Sequence, residues 1–335
     1  MKELKEKNLR PGRKITDQFI LAAAITLLII FVSAFFFPTG WTIHLFENLL
    51  GGNHDAEEFL NNYFSFISIW AGFILVVCLI KGNRPMLRAA KYCSPGLKKG
   101  TDGAVTGNGN RAGNNFMGLL IGLALGFGCN GFCILMSSLT GNIHLAYSGF
   151  KPVPFIVFFI CVFIQSAAEE IADRWYLYQK LRRRYKAPWI AIAVNSLVFA
   201  GMHIFNPGIG ILPLIQIMVV GVIFSLFVYY YNGLWIACAF HAAWNFTQSI
   251  VFGLPNSGIV SAYSVFRLDA ASATNGLFYN VNFGVEGSIG AVVLLTAVLI
   301  FIAWINRGKG EHTDVWAEND REALKKAAAA NSAVN

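Results

Sequence analysis

Charged residues are scarce in this sequence. Lysine, arginine, aspartate and glutamate make up 13% of the 335 residues, whereas 56% are hydrophobic. A soluble globular domain carries about 25% charged residues, so this scarcity excludes an ordinary soluble protein. Eight apolar stretches approach the roughly 20 residues that a helix needs to cross a bilayer, and they lie near 18–37, 62–80, 115–138, 154–180, 188–205, 211–230, 234–253 and 288–306. The sequence therefore predicts an all-α fold, a polytopic membrane helix bundle of about eight transmembrane helices.

Positive charge is almost missing from half of the predicted loops. Of the 26 lysines and arginines, 24 lie in segments 1–16, 81–114 and 174–186 or after residue 306. Lysine and arginine collect in short cytoplasmic loops, so the pattern predicts that both termini are cytoplasmic. The predicted organisation is a basic N-terminus at 1–16, a membrane domain at 17–306 and a cytoplasmic tail at 307–335.

The net charge of +8 does not require a nucleic-acid partner. Basic cytoplasmic loops beside anionic lipid head groups account for it, so we expect the lipid bilayer and no nucleic acid among the partners. No small-residue cleavage site follows the first apolar stretch, which predicts a retained anchor. The simplest expectation is a multi-pass protein of a prokaryotic plasma membrane, with the endoplasmic reticulum as the alternative.

The cysteines form no recognisable framework. Six are scattered along the chain, which favours neither a disulfide scaffold nor a zinc ribbon. Cys129 and Cys133 share a helix face close to Gly126, Gly128 and Gly131, and this composition predicts close helix packing. Segment 81–114 is interpreted as a flexible cytoplasmic connection and 320–330 as a solvated helix. Nothing in the polar outer segment 254–287 indicates a site.

Ionisable side chains nevertheless occur at three places inside the apolar stretches: "EEIADR" at 169–174, "FAGMH" at 199–203 and "HAAWN" at 241–245. Such groups are costly in hydrocarbon and mark functional sites by default. At about 1.5 Å per residue, Glu169, His203 and His241 lie ~16, ~21 and ~12 Å from the cytoplasmic ends of their helices. All three depths fall within a hydrocarbon core about 30 Å thick. We therefore expect the three groups to share one cavity.

Local spacing separates their roles. Glu170 and Arg174 are four residues apart, which predicts a salt bridge with a mainly structural role. Glu169 points about 100° away around the helix and lacks a basic partner at this spacing, which suits a general base. His241 and Asn245 are also four residues apart, so both can donate hydrogen bonds to a developing oxyanion.

The ordered motifs resemble a known family. Glu169, Glu170 and Arg174 fit EExxxR, Phe199 and His203 fit FxxxH, and His241 and Asn245 fit HxxxN. This set, over about 160–250, is similar to the signature of the CPBP intramembrane proteases, which include CAAX prenyl endopeptidases and bacteriocin-immunity (Abi-like) proteins.

The resemblance implies a role for each matched residue. Glu169 and His203 would activate water, and His241 and Asn245 would hold the oxyanion. Glu170 and Arg174 would support the site, and Phe199 would pack beneath His203. Asp173 and Trp175 stand where the family often has an apolar residue and a glycine.

The cofactor requirement has two readings. A metal-free mechanism is favoured because HExxH is absent. The alternative is zinc bound by Glu169, His203 and His241, since three protein ligands plus water are typical of catalytic zinc.

Three functions fit these features. The favoured one is an intramembrane endopeptidase that cleaves a membrane-anchored protein or peptide, with water reaching Glu169 from the cytoplasm. The alternative is a non-enzymatic immunity or scaffold protein of the same fold, although a pure binder has no need of both histidines and Asn245. A proton-coupled permease fits less well, because the sequence shows no paired halves with interrupted helices.

Overall fold

The structure is a computed structural model. It describes residues 9–10, 14–37, 44, 46–47, 50, 52–93, 98–99, 105–106 and 113–317. Most of the predicted N-terminal and C-terminal segments, much of 81–114 and the predicted helix at 320–330 lie outside this range. The domain boundaries proposed from sequence therefore stay predictions.

The described chain is mostly helical. Its helices are α1 (Phe19–Phe35), α2 (His54–Ser65), α3 (Ile67–Leu79), α4 (Leu87–Ala90), α5 (Phe116–Leu139), α6 (Pro152–Glu170), α7 (Tyr178–Arg184), α8 (Pro188–Met202), α9 (Ile211–Tyr231), α10 (Leu234–Phe246) and α11 (Ile289–Ile305). Wider π-helical turns at Ile171–Leu177 and Thr247–Val251 follow α6 and α10. Short 3₁₀ turns occur at Ile15–Asp17, Lys81–Met86 and Val285–Gly287. The strands are β1 (Lys98–Lys99), β2 (Val105–Thr106), β3 (Leu145–Tyr147) and β4 (Phe266–Leu268), paired antiparallel as β1–β2 and β3–β4.

Each of the eight predicted apolar stretches contains a helix. Within the described residues, four helical segments are long and apolar enough to cross a membrane, namely His54–Leu79, Phe116–Leu139, Pro152–Arg184 and Ile211–Tyr231. Helices α1, α8 and α11 are apolar but shorter. The protein is thus a helical integral membrane protein, whereas the count of eight spans and the orientation of the termini stay predictions.

The basic segments predicted to be cytoplasmic meet at one end of the bundle. Arg183, at the end of α7, donates two hydrogen bonds to Asp17 at 2.5 and 2.6 Å and a third to the carbonyl of Gly82 at 2.6 Å. The neighbouring Arg182 pairs with Glu311 beyond α11. Ion pairs and a hydrogen bond to backbone therefore join the N-terminal, α3–α4, α7 and C-terminal segments at this end.

The loops predicted to face the other side also meet. Strand β3 precedes α6, and its partner β4 lies in the long connection between α10 and α11. Gly258 has a φ of +83°, and a Cβ there would lie 2.0 Å from the carbonyl oxygen of Pro207, in the turn after α8. The α10–α11 connection is therefore packed against the ends of α6 and α8 that lie opposite the basic end.

Helix α10 lies in the interior of the bundle, and all but one of its residues are buried. It packs against α5, where a Cβ on Gly122 or Gly126 would lie 2.4 Å from a backbone carbonyl oxygen of α10. The predicted close packing is therefore confirmed at Gly126. It is wrong for Gly128 and Gly131, where nothing lies within 4 Å of such a Cβ, because these two face away from α10.

We expect Gly126→Ala to destabilise the protein by about 1–3 kcal/mol, since the new methyl group meets backbone that cannot move aside. Gly128→Ala, two residues away with open space around it, should be neutral or stabilising, because alanine favours a helix over glycine. Thermal unfolding of both variants in the same detergent tests this. Equal melting temperatures for the two variants would contradict the packing.

Candidate functional site

The two adjacent glutamates end α6 and have different surroundings. The side chain of Glu169 is 18% exposed, whereas that of Glu170 is completely buried. A π-helical turn, Ile171–Leu177, begins directly after them. Such turns rearrange the side chains that follow and are frequent at functional sites. One carboxylate therefore faces the site and its neighbour faces the protein interior.

The buried carboxylate of Glu170 links α6 to α10. Its Oε1 accepts hydrogen bonds from Arg174 Nη1 at 3.1 Å and from His241 Nδ1 at 3.0 Å. The salt bridge predicted from the spacing is therefore present. Arg174 also donates to the carbonyl of Gly221 on α9 at 3.3 Å. Through these hydrogen bonds to His241 and Gly221, the Glu170–Arg174 ion pair connects α6 with α10 and α9.

Phe199 on α8 connects the arginine with both histidines. Its ring lies 4.2 Å from the guanidinium carbon of Arg174, a cation–π distance. The same ring lies 4.9 Å from the His203 ring and 5.9 Å from the His241 ring. The aromatic contact between Phe199 and His203 that the motif led us to expect is therefore present.

His203 follows the last residue of α8, and its tautomer is determined by a backbone group. Its Nδ1 lies 2.8 Å from the carbonyl oxygen of Phe199. A carbonyl only accepts, so Nδ1 carries the proton. In the neutral ring, Nε2 is then left with a lone pair. His203 is thus arranged to accept a proton at Nε2.

One carboxylate oxygen of Glu169 accepts no hydrogen bond from the described residues. Its Oε1 accepts a hydrogen bond from Gln165 Nε2 at 2.5 Å. Its Oε2 has no hydrogen-bond partner among the described residues and lies 3.8 Å from His241 Nε2. Polar atoms at this separation are often bridged by water. Oε2 is buried, so it can accept a hydrogen bond only from a water molecule held inside the site.

The Asn245 amide has a defined orientation. Its Nδ2 donates to Ser166 Oγ at 3.1 Å and lies 3.5 Å from Gln165 Oε1. Its Oδ1 accepts from Asn256 Nδ2 at 3.1 Å. The NH₂ group of Asn245 is thus directed toward the end of α6 that carries Glu169.

One cavity of about 370 Å³ brings together the four side chains to which catalysis was assigned. Glu169, His203, His241 and Asn245 all line it. The remaining lining residues are Ile30, Asn62, Tyr63, Phe66, Ile69, Gln165, Ala168, Ala172, Met202, Asn206, Asn256, Ser257 and Ile259. Glu170 and Arg174 lie behind the cavity, and Phe199 lines a smaller chamber of about 30 Å³ beside it. The lining of the cavity is mainly apolar.

The ligand set proposed for zinc does not fit a metal centre in this structure. Among the described residues, no three histidine, cysteine, aspartate or glutamate side chains are close enough to hold a metal ion together. The set Glu169, His203 and His241 is therefore not assembled as three converging ligands. The cofactor requirement stays a prediction.

The two positions that depart from the family pattern have different surroundings. Trp175 Nε1 donates to the carbonyl of Met86 at 2.8 Å, so this side chain connects the π-helical turn to the 3₁₀ turn that precedes α4. Asp173 is completely buried, and its oxygens have no hydrogen-bond partner among the described residues; Arg174 Nη1 is 3.9 Å away. Neither side chain lines the cavity.

Sequence reasoning missed several polar residues of the site. Gln165 lies one turn before Glu169 and was detectable by the same four-residue spacing as the other pairs. Asn256 and Ser257 line the cavity, and Glu286 lines the smaller chamber. All three belong to the 254–287 segment, whose sequence does not indicate a site, so their contribution to the cavity could not be foreseen from sequence. For Glu286, the one signal in the sequence is an acidic residue flanked by small and apolar residues in "GVEGS".

We expect Glu170→Gln to lower stability by about 3–5 kcal/mol, because it leaves Arg174 charged and uncompensated in the interior. Removing both charges in Glu170→Gln/Arg174→Met should restore part of that loss. Thermal unfolding of the single and double variants in detergent measures the difference. A single variant as stable as the unmodified protein would show that the pair does not hold the helices together.

One protein-family model matches the part of the chain that contains these residues. A family model, "Type II CAAX prenyl endopeptidase Rce1-like", matches residues 151–247. The match begins just before α6 and ends one residue after α10, and it includes all seven motif residues. It confirms the resemblance found from the motifs. No curated protein and no solved structure matches the chain.

Proposed function

We propose that this chain, whose segment 151–247 matches the model of type II CAAX prenyl endopeptidases, is an intramembrane endopeptidase. It hydrolyses a peptide bond of a membrane-anchored protein or peptide. One observation carries the proposal: Glu169, His203, His241 and Asn245 line a single cavity, and Glu169 Oε2 accepts no hydrogen bond from the described residues.

Water activation is assigned to the two acceptors. A water beside Glu169 Oε2 and His203 Nε2 gives up a proton to one of them as its oxygen attacks the scissile carbonyl carbon. General base catalysis of this kind contributes about 10²–10⁴-fold. The same proton then passes to the leaving nitrogen as the C–N bond breaks, so the site returns to its starting state.

Oxyanion stabilisation is assigned to α10. Asn245 lies on the cavity wall one helical turn from His241, and its Nδ2 exchanges the long 3.5 Å contact with Gln165 Oε1 for a hydrogen bond to the oxyanion. His241 donates from Nδ1 to Glu170, so its Nε2 serves as a second donor when the ring is protonated. Charge on the ring is then balanced by the Glu170 carboxylate. Donors held in place before the reaction stabilise the transition state more than the substrate.

The substrate class follows from the lining. Apolar side chains make up much of this lining, among them Ile30 of α1, Phe66 just before α3 and Ile69 of α3. A peptide joined to a lipid chain or a transmembrane helix fits such a lining, because its apolar anchor need not leave the bilayer. An isoprenyl group is one such anchor. Cleavage rates measured for one peptide sequence carried on different anchors decide which class of anchor the protein prefers.

The cavity lies toward one end of the bundle. Asn206 and Ser257, which line it, belong to the turns after α8 and α10. Those turns lie at the end opposite the basic segments, because α8 and α10 both start near the basic end. If positive charge marks the cytoplasmic side, water and substrate reach Glu169 from the opposite side. This proposal replaces the expectation that water enters from the cytoplasm.

Cysteine labelling of intact cells tests the sidedness. In a cysteine-free background, Val260→Cys, an exposed position in the connection after α10, should react with a membrane-impermeant maleimide. Lys186→Cys, exposed between α7 and α8, should react only after the cells are opened. The reverse pattern would show that the cavity opens toward the cytoplasm.

The catalytic assignment is tested by Glu169→Gln. The substituted amide can still accept from Gln165, but it presents NH₂ where water needs an acceptor, so kcat should fall about 10²–10⁴-fold. KM should change little, because the lost interaction acts in the transition state. The assay is cleavage of membrane-tethered peptides by purified protein, with and without a chelator.

Glu57→Gln is the matched control, since Glu57 is a buried glutamate of α2 outside the cavity lining. It should keep wild-type kcat. Full activity of Glu169→Gln would remove Glu169 as the base, and loss of activity with chelator would assign the site to zinc. If the unmodified protein cleaves none of the tethered peptides, the endopeptidase proposal fails in favour of a binding role for the same fold.

A further inference from the structure

Glu286 is a buried acid that the proposed mechanism does not use. It lies in the 3₁₀ turn Val285–Gly287 just before α11, outside the family match, and is 5% exposed. The pKa of Glu286 is raised to about 7, because the effect of burial exceeds the lowering effect of the hydrogen bonds from Ser257 and Trp244. Among the described residues, no lysine or arginine forms a salt bridge with it. A buried carboxylate without a cation is costly, so its contacts are informative.

Three donors converge on this carboxylate. The backbone N–H of Ser257 lies 2.7 Å from Oε2, and Trp244 Nε1 lies 3.1 Å from Oε1. Asn256 Nδ2 lies 3.2 Å from Oε1. Trp244 directly precedes Asn245 on α10, so Glu286 binds both the helix that carries the proposed oxyanion donor and the loop that covers it.

The contacts continue from Glu286 to Glu169. Asn256 Nδ2 also donates to Asn245 Oδ1 at 3.1 Å. On the other side of Asn245 lies Gln165, which donates to Glu169 Oε1 at 2.5 Å. A row of three amides therefore connects two carboxylates.

This arrangement determines the direction of every amide. Trp244 Nε1 and the backbone N–H of Ser257 can only donate, so both oxygens of Glu286 act as acceptors, and Asn256 turns its NH₂ group toward Oε1. The second hydrogen of that NH₂ group then meets Asn245 Oδ1. Asn245 must in turn direct its own NH₂ group away from Asn256 and toward the cavity side of α6. A reversed Asn245 amide would present an oxygen to the oxyanion and repel it.

We infer that Glu286 is a positioning residue for the proposed hydrolysis: through Asn256 it holds the Asn245 amide in the orientation that donates to the oxyanion. The inference rests on the proposed function. It assigns a role to the α10–α11 connection, which lies beyond the segment that the family model matches.

The test is a double-mutant cycle on the full-length protein, with kcat and KM measured on one membrane-tethered peptide. Glu286→Gln should lower kcat about tenfold, less than the 10²–10³-fold cost of removing an oxyanion donor itself. KM should stay constant. In an Asn256→Ala background, Glu286→Gln should cause no further loss, since groups that act through one another are not additive.

Asn130→Ala is the control. Asn130 is a buried amide of α5 that donates to Gln248 at 2.8 Å and lines neither chamber, so kcat should be unchanged. Asn245→Ala separates the two proposals. If the unmodified protein cleaves none of the tethered peptides, the proposed function itself fails. If Asn245→Ala is fully active, the oxyanion role of Asn245 fails, and the positioning role of Glu286 fails with it. If it is inactive but Glu286→Gln has wild-type kcat, only the positioning role fails.

Two further results would overturn the inference. One is an equal loss from Glu286→Gln in the presence and absence of Asn256. The other is a loss of activity that matches a loss of folded protein in thermal unfolding, which would show a structural role alone. Should Glu286→Gln not fold, Asn256→Ala takes its place, with lowered kcat and constant KM as the expected result and unchanged kcat as the contrary one.

Discussion

The carboxylate of Glu170 is the point on which the arrangement of the membrane core depends. It is completely buried and accepts hydrogen bonds from Arg174 and His241. A charge in such surroundings is stable only with its partners in place. The separation of α6 from α10, the direction of the His241 ring and the stacking of Arg174 on Phe199 all follow from keeping that contact.

The cavity follows from the same constraint. Because Glu170 turns inward, Glu169 turns toward the space between α6, α8 and α10, where His203 and His241 also point. The close approach of α5 at Gly122 and Gly126 leaves α10 no room to shift. The connection from α10 to α11 then covers one end of the space and adds Asn256 and Ser257. Rigid helices thus supply the reacting groups, and the loop supplies orientation.

Much of this site could be predicted from sequence because its geometry is local. The Glu170–Arg174 pair follows from one helical turn, and matched depths brought Glu169, His203 and His241 into one cavity. The loop residues could not be predicted in this way. Glu286 lies 42 residues beyond Trp244, and no periodic rule relates positions across an irregular segment. The outward direction of Gly128 likewise depends on which face of α5 meets α10.

A structure of the full chain with a membrane-tethered peptide aldehyde tests the central claim most directly, because a hydrated aldehyde has the shape of the tetrahedral intermediate. We expect the hydrate in the cavity, with one oxygen beside Glu169 Oε2 and His203 Nε2 and the other at Asn245 Nδ2. A covalent bond from the aldehyde carbon to a protein side chain, or binding outside this cavity, would contradict a water-based mechanism carried by these residues.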